Sequence, residues 1–186
     1  SQNLDGCYGR NRADGLDGAR EMPCPTIIEI VAVDGGDDGM GQAHARNRVG
    51  GRMLAATVGH DLAPLRIVDV GCGSGGFLRQ LISWGARPTN LAGTEYQEDR
   101  LDQARAATAD GVCWHIGDLD VFADASLDLT VANTVFSSIL DGQMRLALAA
   151  EMWRVLKPGG WAMVFDFRYN NPSNPNVRRI GRPELQ

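Results

Sequence analysis

The sequence of 186 residues is poor in the side chains that build metal and disulfide sites. Its three histidines, His44, His60 and His115, are scattered along the chain without the spacing of a metal site. The four cysteines form no C-x-x-C pair, and free thiols in a reducing compartment fit them better than a disulfide framework. We therefore expect no metal site and a cytoplasmic location.

Long apolar runs and an excess of positive charge are also missing. The longest early run, residues 27–33, is short and interrupted by Glu29, and no run reaches the length of a membrane-spanning helix. The 23 acidic residues outnumber the 18 Lys and Arg residues, which gives a net charge of −5. That balance disfavours a nonspecific surface for nucleic acid or lipid, and we expect neither as a partner.

The composition changes near Leu62. Residues 1–61 are rich in Gly, Asp and Arg, which predicts an N-terminal arm or lid that is partly disordered. Residues 62–186 form the predicted core, because apolar runs alternate there with helical patterns. The patterns predict strands at 66–70, 90–94, 112–116, 127–132 and 161–167, and helices at 76–84, 97–108 and 142–155. This alternation predicts an α/β fold with a doubly wound, mostly parallel sheet.

A glycine-rich turn follows the first of these strands. Gly71 and Gly73 would let a ligand approach the backbone, next to the N-terminus of a helix. Gly71, Gly73 and Gly76 also satisfy the dinucleotide pattern G-x-G-x-x-G, which leaves a nicotinamide enzyme open. Asp69, just before the glycines, would repel a diphosphate but would suit a cationic amino-acid group. The turn predicts a nucleotide-like cofactor, and Asp69 favours one with a positively charged end.

Two more acidic residues follow the next two strands. Glu95 ends the second run, at a spacing where a carboxylate can accept both ribose hydroxyls, although it could also cap the following helix. Asp118 follows the third run, where an adenine amino group could be read, although Asp is also a common turn residue. A Pro-Gly-Gly turn at residues 156–160 precedes the last apolar strand.

This ordered set resembles the class I S-adenosylmethionine-dependent methyltransferases. Their signature is an acidic residue and G-x-G-x-G after the first strand, an acidic residue after the second and Asp after the third. The resemblance implies a Rossmann-like methyltransferase fold and S-adenosyl-L-methionine as the cofactor. It assigns cofactor contacts to ten residues: Asp69, Gly71, Cys72, Gly73, Glu95, Tyr96, Asp118, Leu119, Asn133 and Phe136. Tyr96 could equally be a packing residue.

Polar residues around the ends of the fourth and fifth strands predict the acceptor side. The pattern at residues 165–168 and 171–172 resembles a bacterial subgroup that acts on small molecules and glycans. Four residues are candidates for contacting the substrate: Ser137, Ser138, Arg168 and Asn171. The serines could instead only start a helix, and the cluster after the fifth strand could be a solvated loop. Asp166 is the candidate base for an oxygen acceptor on a small polar metabolite or sugar-containing molecule.

The resemblance makes the end of the chain unusual. The family sheet has seven strands, whereas the predicted strands of this chain stop after the fifth, so the C-terminal strands are expected to be missing. Residues 161–167 would form an exposed apolar edge, and we expect a partner or a missing C-terminal segment to cover it. A methyltransferase is the favoured function. A non-catalytic cofactor-binding or assembly module and, third, an NAD-dependent oxidoreductase are the alternatives.

Overall fold

The computed structural model of the protein describes residues 26–32, 49–167, 169–170 and 174–180. Within these ranges the strands are β1 (Thr26–Ala32), β2 (Ile67–Val70), β3 (Leu91–Glu95), β4 (Cys113–Ile116), β5 (Leu127–Asn133) and β6 (Leu156–Phe167). The helices are α1, which covers residues 49–57, α2 (Gly76–Ser83), α3 (Glu98–Ala107) and α4 (Gly142–Arg154). Short 3-10 helices occupy Pro88–Asn90 and Phe136–Ser138.

The described strands pair in parallel, in the order β1-β6-β5-β2-β3-β4. The direction of winding reverses at β2, which pairs with β5 on one side and with β3 on the other. Parallel strands that are joined by crossing helices place all their carboxyl ends at one edge of the sheet. The prediction of a doubly wound α/β fold is therefore confirmed.

Alternate side chains of the strands divide the core into two halves. On one face of the sheet, Ile67 and Met163 are buried with Leu81 of α2, and we call this the α2 face. On the other face, Val68 is buried with Met152 of α4, and we call this the α4 face. Burial on both faces explains why the strand sequences are almost continuously apolar.

Helix α4 begins where Asp141 caps it. One oxygen of this carboxylate, Oδ1, accepts hydrogen bonds from the backbone N–H groups of Gln143 at 2.8 Å and Met144 at 2.9 Å. A helix start leaves its first N–H groups without partners, and an Asp side chain satisfies them. The cap fixes the point at which the chain leaves the loop after β5 and enters the helix.

Strand β1 covers the edge that the sequence predicted to be exposed. It pairs in parallel with residues 161–167 of β6 over its full length. The expectation of a bare edge at residues 161–167 is therefore wrong. The sequence alone predicts an arm at residues 27–33, because the partner strand of this run lies far away in the sequence. The division into regions 1–61 and 62–186 stays a prediction, although part of the first region belongs to the sheet.

Strand β6 also begins earlier than predicted. Leu156 pairs with Leu127 and Trp161 pairs with Leu129, so the ladder between β5 and β6 shifts its register between these two pairs. Between these pairs the position advances by two in β5 and by five in β6, so β6 contains a bulge. The predicted turn at residues 156–160 is therefore an irregularity inside a strand.

The described cysteines differ in their chemical state. Cys72 is a free, buried thiol, whereas Cys113 is disulfide-bonded. The expectation of free thiols is therefore wrong at Cys113. A disulfide needs two cysteines that are close in space, at any separation in sequence, so the absence of a C-x-x-C pair does not exclude one.

Neither a membrane span nor a metal cluster is found in the described ranges. None of their helices combines the length and the apolar character needed to cross a bilayer. No group of three or more His, Cys, Asp or Glu side chains there could hold a metal ion.

The tight packing at Gly93 in β3 gives a first prediction. A Cβ at this position would lie 2.8 Å from Cys72 Sγ and 2.9 Å from Leu78 Cδ1. We expect Gly93→Ala to destabilise the fold by about 1–3 kcal/mol, because an extra methyl group in a full core forces its neighbours to move. The control is Gly142→Ala, where a Cβ meets nothing within 4 Å. Urea denaturation of both variants measures the difference, and equal midpoints would contradict the prediction.

Candidate functional site

Three strand ends bring polar side chains to the carboxyl edge of the sheet. Asp69 of β2 pairs in register with Gly93 of β3 and with Val131 of β5. Glu95 and Asn133 lie two residues beyond those partners, so alternation places all three polar side chains on the α2 face. Asp69 lies on β2, the strand at which the winding direction reverses, and Glu95 and Asn133 lie on the two strands beside it. Ligands of open α/β sheets bind at this point, so the edge is the candidate site.

The glycine turn lies directly above this edge. Gly71 and Gly73 have φ angles of 62° and 54°, which only glycine adopts without strain. The N–H of Cys72 donates to the carbonyl of Thr94 at 2.9 Å, which ties the turn to β3. A Cβ on Gly71 would lie 2.8 Å from Val135, whereas a Cβ on Gly73 would meet nothing within 4 Å. The turn therefore leaves open space beside the backbone of Gly73.

Asp69 and Asn133 form a buried polar pair. They are 2% and 9% exposed, and Nδ2 of Asn133 donates to Oδ1 of Asp69 at 3.2 Å. The other amide atom, Asn133 Oδ1, is buried and has no hydrogen-bond partner in the structure. A buried acceptor left without a donor costs about 1–3 kcal/mol, which a ligand that donates to it would recover. The pair is an acceptor-rich site suited to a cationic N–H donor.

The carboxylate of Glu95 is tied to the backbone around it. Oε2 accepts from the N–H of Gly73 at 2.9 Å, and Oε1 accepts from Tyr96 at 2.9 Å and Gln97 at 3.2 Å. Glu95 therefore stabilises the backbone between β3 and α3 and also holds the glycine turn, whereas α3 begins at Glu98 without a side-chain cap. A carboxylate has about four lone-pair positions, so capacity remains for a ligand hydroxyl.

Tyr96 and Asp118 meet beyond the ends of β3 and β4. The phenol of Tyr96, which is 72% exposed, donates to Asp118 Oδ2 at 3.5 Å. Partial burial and the neighbouring charge of Asp118 raise the pKa of Tyr96. Asp118 Oδ1 also accepts from the N–H of Asp120 at 3.2 Å, as in an Asx turn. The side chain of Leu119 is fully buried on the α4 face, so only its backbone could reach a ligand at this edge.

The loop after β5 contains a strained residue that the sequence did not indicate. Thr134 has a φ of 56°, a left-handed conformation that β-branched residues rarely adopt. Phe136 is buried in the core of the α4 face. Ser137 is fully buried, and Ser138, which is exposed, donates its hydroxyl to the carbonyl of Thr134 at 3.0 Å. These contacts shape the loop, and they leave Phe136 inside the core.

Asp166 lies on the other face of the sheet from Asp69 and Asn133. It follows Phe165, the register partner of Asn133, and is 2% exposed. Its Oδ2 accepts from the N–H of Ser137 at 3.0 Å, and its Oδ1 accepts from that of Phe167 at 2.8 Å. Burial raises its pKa, while these hydrogen bonds and the charge of Arg145 oppose the rise. In the structure, Asp166 anchors the loop after β5.

The remaining acceptor-side candidates, Arg168 and Asn171, lie outside the described residues. A further residue at the loop after β5 is Arg145 of α4, a buried cation that the sequence patterns do not indicate. No motif indicates it, since the hydrogen bonds that tie it to Ile139, Arg178 and Arg179 go to backbone carbonyls.

The environment of Cys72 disfavours the reactive thiolate form of its side chain. Cys72 is 8% exposed, and burial, followed by the charges of Asp69 and Glu95, raises its pKa well above the usual range. A thiolate is the nucleophilic form of cysteine, so this position disfavours covalent catalysis. Cys72 is suited to packing against the turn.

The central part of the chain matches a known sequence family. The model of that family, described as "Methyltransferase domain", matches residues 68–164. The chain belongs to this methyltransferase family. The match covers the glycine turn and the ends of β2 to β5, so it includes Asp69, Glu95 and Asn133 but ends before Asp166. The predicted resemblance is confirmed for the family, and the bacterial subgroup stays a prediction.

Curated members of the methyltransferase family are moderately similar to the chain. A sterol 24-C-methyltransferase from Neurospora crassa is 32% identical over 152 residues, which cover 74% of this chain and 37% of the relative. A demethylmenaquinone methyltransferase from Deinococcus radiodurans is 32% identical over 123 residues, covering 63% and 49%. The chain spans less than half the length of either relative.

Solved methyltransferase structures share the fold. The magnesium protoporphyrin IX methyltransferase of Synechocystis PCC 6803, solved with bound S-adenosylhomocysteine, aligns with a TM-score of 0.58 at 14% identity. The alignment covers 82% of this chain and 76% of that one. At this identity the likeness supports the fold alone.

The pKa of Cys72 gives a second prediction. Because the folded state holds the thiol proton more tightly than the unfolded chain, we expect little thiolate in the folded protein up to about pH 9. Iodoacetamide should modify Cys72 at least about a hundredfold more slowly in the folded protein than in urea. Peptide mass spectrometry at several pH values measures the rate. Rapid alkylation of the folded protein, rising with pH as in urea, would show that the turn is open.

Proposed function

We propose that the chain binds S-adenosyl-L-methionine at the carboxyl edge of the sheet and catalyses transfer of its methyl group to a small-molecule acceptor. Family membership and the polar groups at the ends of β2, β3 and β5 support this proposal. A cytoplasmic location stays a prediction.

The observation that carries the proposal is the unpartnered oxygen of Asn133. It lies beside the carboxylate of Asp69, and together they offer acceptor atoms and negative charge in a buried place. The amino-acid end of S-adenosylmethionine carries an ammonium group, which could donate to the unpartnered Asn133 Oδ1. The cofactor fits the residues present on this ground.

The other residues fit the remaining parts of the cofactor. The open space at Gly73 suits close approach of the amino-acid part to the backbone, and Glu95 Oε2 retains capacity for a ribose hydroxyl. Tyr96 and Asp118 lie next to each other where the adenine is expected.

When bound, the cofactor supplies an electrophilic methyl group. The contribution of this chain is to hold and orient the cofactor and to exclude water, because alignment of the reactants provides much of the rate. Asp69, with its buried carboxylate, and the backbone of the turn would fix the cofactor against the sheet.

The acceptor is the least constrained part of the proposal. An oxygen acceptor on a small polar or sugar-containing molecule needs a base. Asp166 stays a prediction for that role, although its two carboxylate oxygens bind backbone N–H groups on the α4 face. The names of the relatives include a sterol C-methyltransferase and a dimethylglycine N-methyltransferase. Carbon, nitrogen and oxygen acceptors therefore all belong in the test.

Titration calorimetry with S-adenosylhomocysteine tests cofactor binding, with NAD as the competing ligand. Binding of NAD in its place would favour an oxidoreductase. Transfer of labelled methyl groups to a panel of oxygen, nitrogen and carbon acceptors tests catalysis. Cofactor binding with no transfer to any acceptor would favour a non-catalytic cofactor-binding module.

A matched pair of substitutions in β5 tests the role of Asn133. Asn133→Leu should weaken S-adenosylhomocysteine binding by at least about tenfold, because a hydrogen bond to a charged group contributes about 1.5–3 kcal/mol. The control is Thr130→Val, which removes another buried oxygen without a partner, at a position that pairs with Val68. Its affinity should stay within about twofold of the original chain. Equal affinities of the two variants would remove Asn133 from the site.

A further inference from the structure

Arg145 is a buried cation that joins two separate segments at the carboxyl edge. It is 6% exposed, and its Nε donates to the carbonyl of Ile139 at 2.6 Å. Its Nη2 donates to the carbonyl of Arg178 at 3.0 Å, and Nη1 donates to that of Arg179 at 3.4 Å. One guanidinium therefore connects the loop after β5 with residues 174–180. Arginine suits this task because its donors form a rigid planar fork.

The same loop is held from its other sides. Ser137 donates its N–H to Asp166 of β6 at 3.0 Å and accepts from the N–H of Arg178 at 2.9 Å. Ile180, which is buried on the α4 face, donates to the carbonyl of Phe167 at 3.0 Å. Residues 136–139 are thus fixed between β6, α4 and residues 174–180.

The fixed loop begins next to the strained residue Thr134. Its N–H donates to the carbonyl of Phe165 at 2.7 Å, and its φ is 56°. A strained conformation of this kind persists only where the surrounding contacts impose it. Asn133, whose unpartnered oxygen carries the proposed cofactor site, directly precedes it. A loop that relaxed at Thr134 would therefore turn Asn133 away from its present position.

We propose that Arg145 is a positioning residue for the cofactor site. By fixing the loop after β5 to residues 174–180, it keeps Thr134 in its strained conformation and keeps Asn133 directed beside Asp69. The inference rests on the proposed function, since cofactor binding is its readout. The inference goes further than the proposed function, because it makes the cofactor site on the α2 face depend on Arg145 of helix α4, which packs on the opposite face of the sheet.

The test first compares S-adenosylhomocysteine affinity in three variants of the whole chain. Arg145→Met should weaken binding by about tenfold, because relaxation of one strained residue opposes binding by a similar factor. Arg145→Lys should fall between, since its single ammonium cannot serve three carbonyls in one plane. Lys157→Met is the control. Its Nζ pairs with Asp128 Oδ1 at 2.7 Å at the start of β6, at the far edge of the sheet.

A double variant separates positioning from simple loss of stability. Glycine adopts a positive φ without strain, so Thr134→Gly in the Arg145→Met background should restore most of the lost affinity. Thr134→Gly alone should change affinity by no more than about twofold, which gives a clear coupling energy in the double-variant cycle. A merely structural arginine would lower the melting temperature, and Thr134→Gly would not restore binding.

The outcomes for the two proposals differ. If the original chain does not bind S-adenosylhomocysteine, both the proposed function and this inference fail. If it binds, and folded Arg145→Met binds equally well, only the inference fails. Weaker binding by Arg145→Met without rescue by Thr134→Gly would also overturn it. Weaker binding with rescue, and no change in Lys157→Met, is the expected result.

Discussion

The turn between β2 and α2 is the constraint on which the site depends. Its glycines adopt left-handed conformations, and a Cβ on Gly75 would lie 3.1 Å from both Ala104 and Trp114. Any larger residue would push α2 away from the sheet and α3. Glu95 holds the turn from the neighbouring strand through Gly73. The cofactor half of the site is therefore built from sheet backbone and a turn that tolerates little change.

This dependence explains which features could be predicted from the sequence. Apolar runs, a glycine turn and acidic residues at strand ends are local patterns, and the strands β2 to β5 and the turn appear in the structure close to the predicted places. The pairing of β1 with β6 is different, because it joins residues more than a hundred positions apart. The short run at residues 27–33 stands among Gly and Asp residues, so only the tertiary structure identifies it as a sheet strand.

The acceptor half of the site was harder to predict for two physical reasons. The bulge between β5 and β6 hides the register, and the register decides that Asp166 and Asn133 point to opposite faces. The second reason is that the other features of this half are backbone features. The positive φ of Thr134 and the carbonyl partners of Arg145 depend on how segments meet in space, and the pattern of side chains in the sequence does not predict them.

The charge at the edge of the sheet favours one class of ligand. Asp69 and Glu95 both lie on the α2 face, and their combined negative charge contributes to the raised pKa of Cys72 between them. A diphosphate placed next to Asp69 and Glu95 would face that charge, and the arginine at this turn, Arg79, donates to the carbonyl of Ser74 at 2.7 Å. A ligand with an ammonium and a sulfonium group would instead gain from the negative charge, and the gain would be large because the site is buried. The glycine spacing alone fits both NAD and S-adenosylmethionine, and the negative charge of Asp69 and Glu95 favours S-adenosylmethionine.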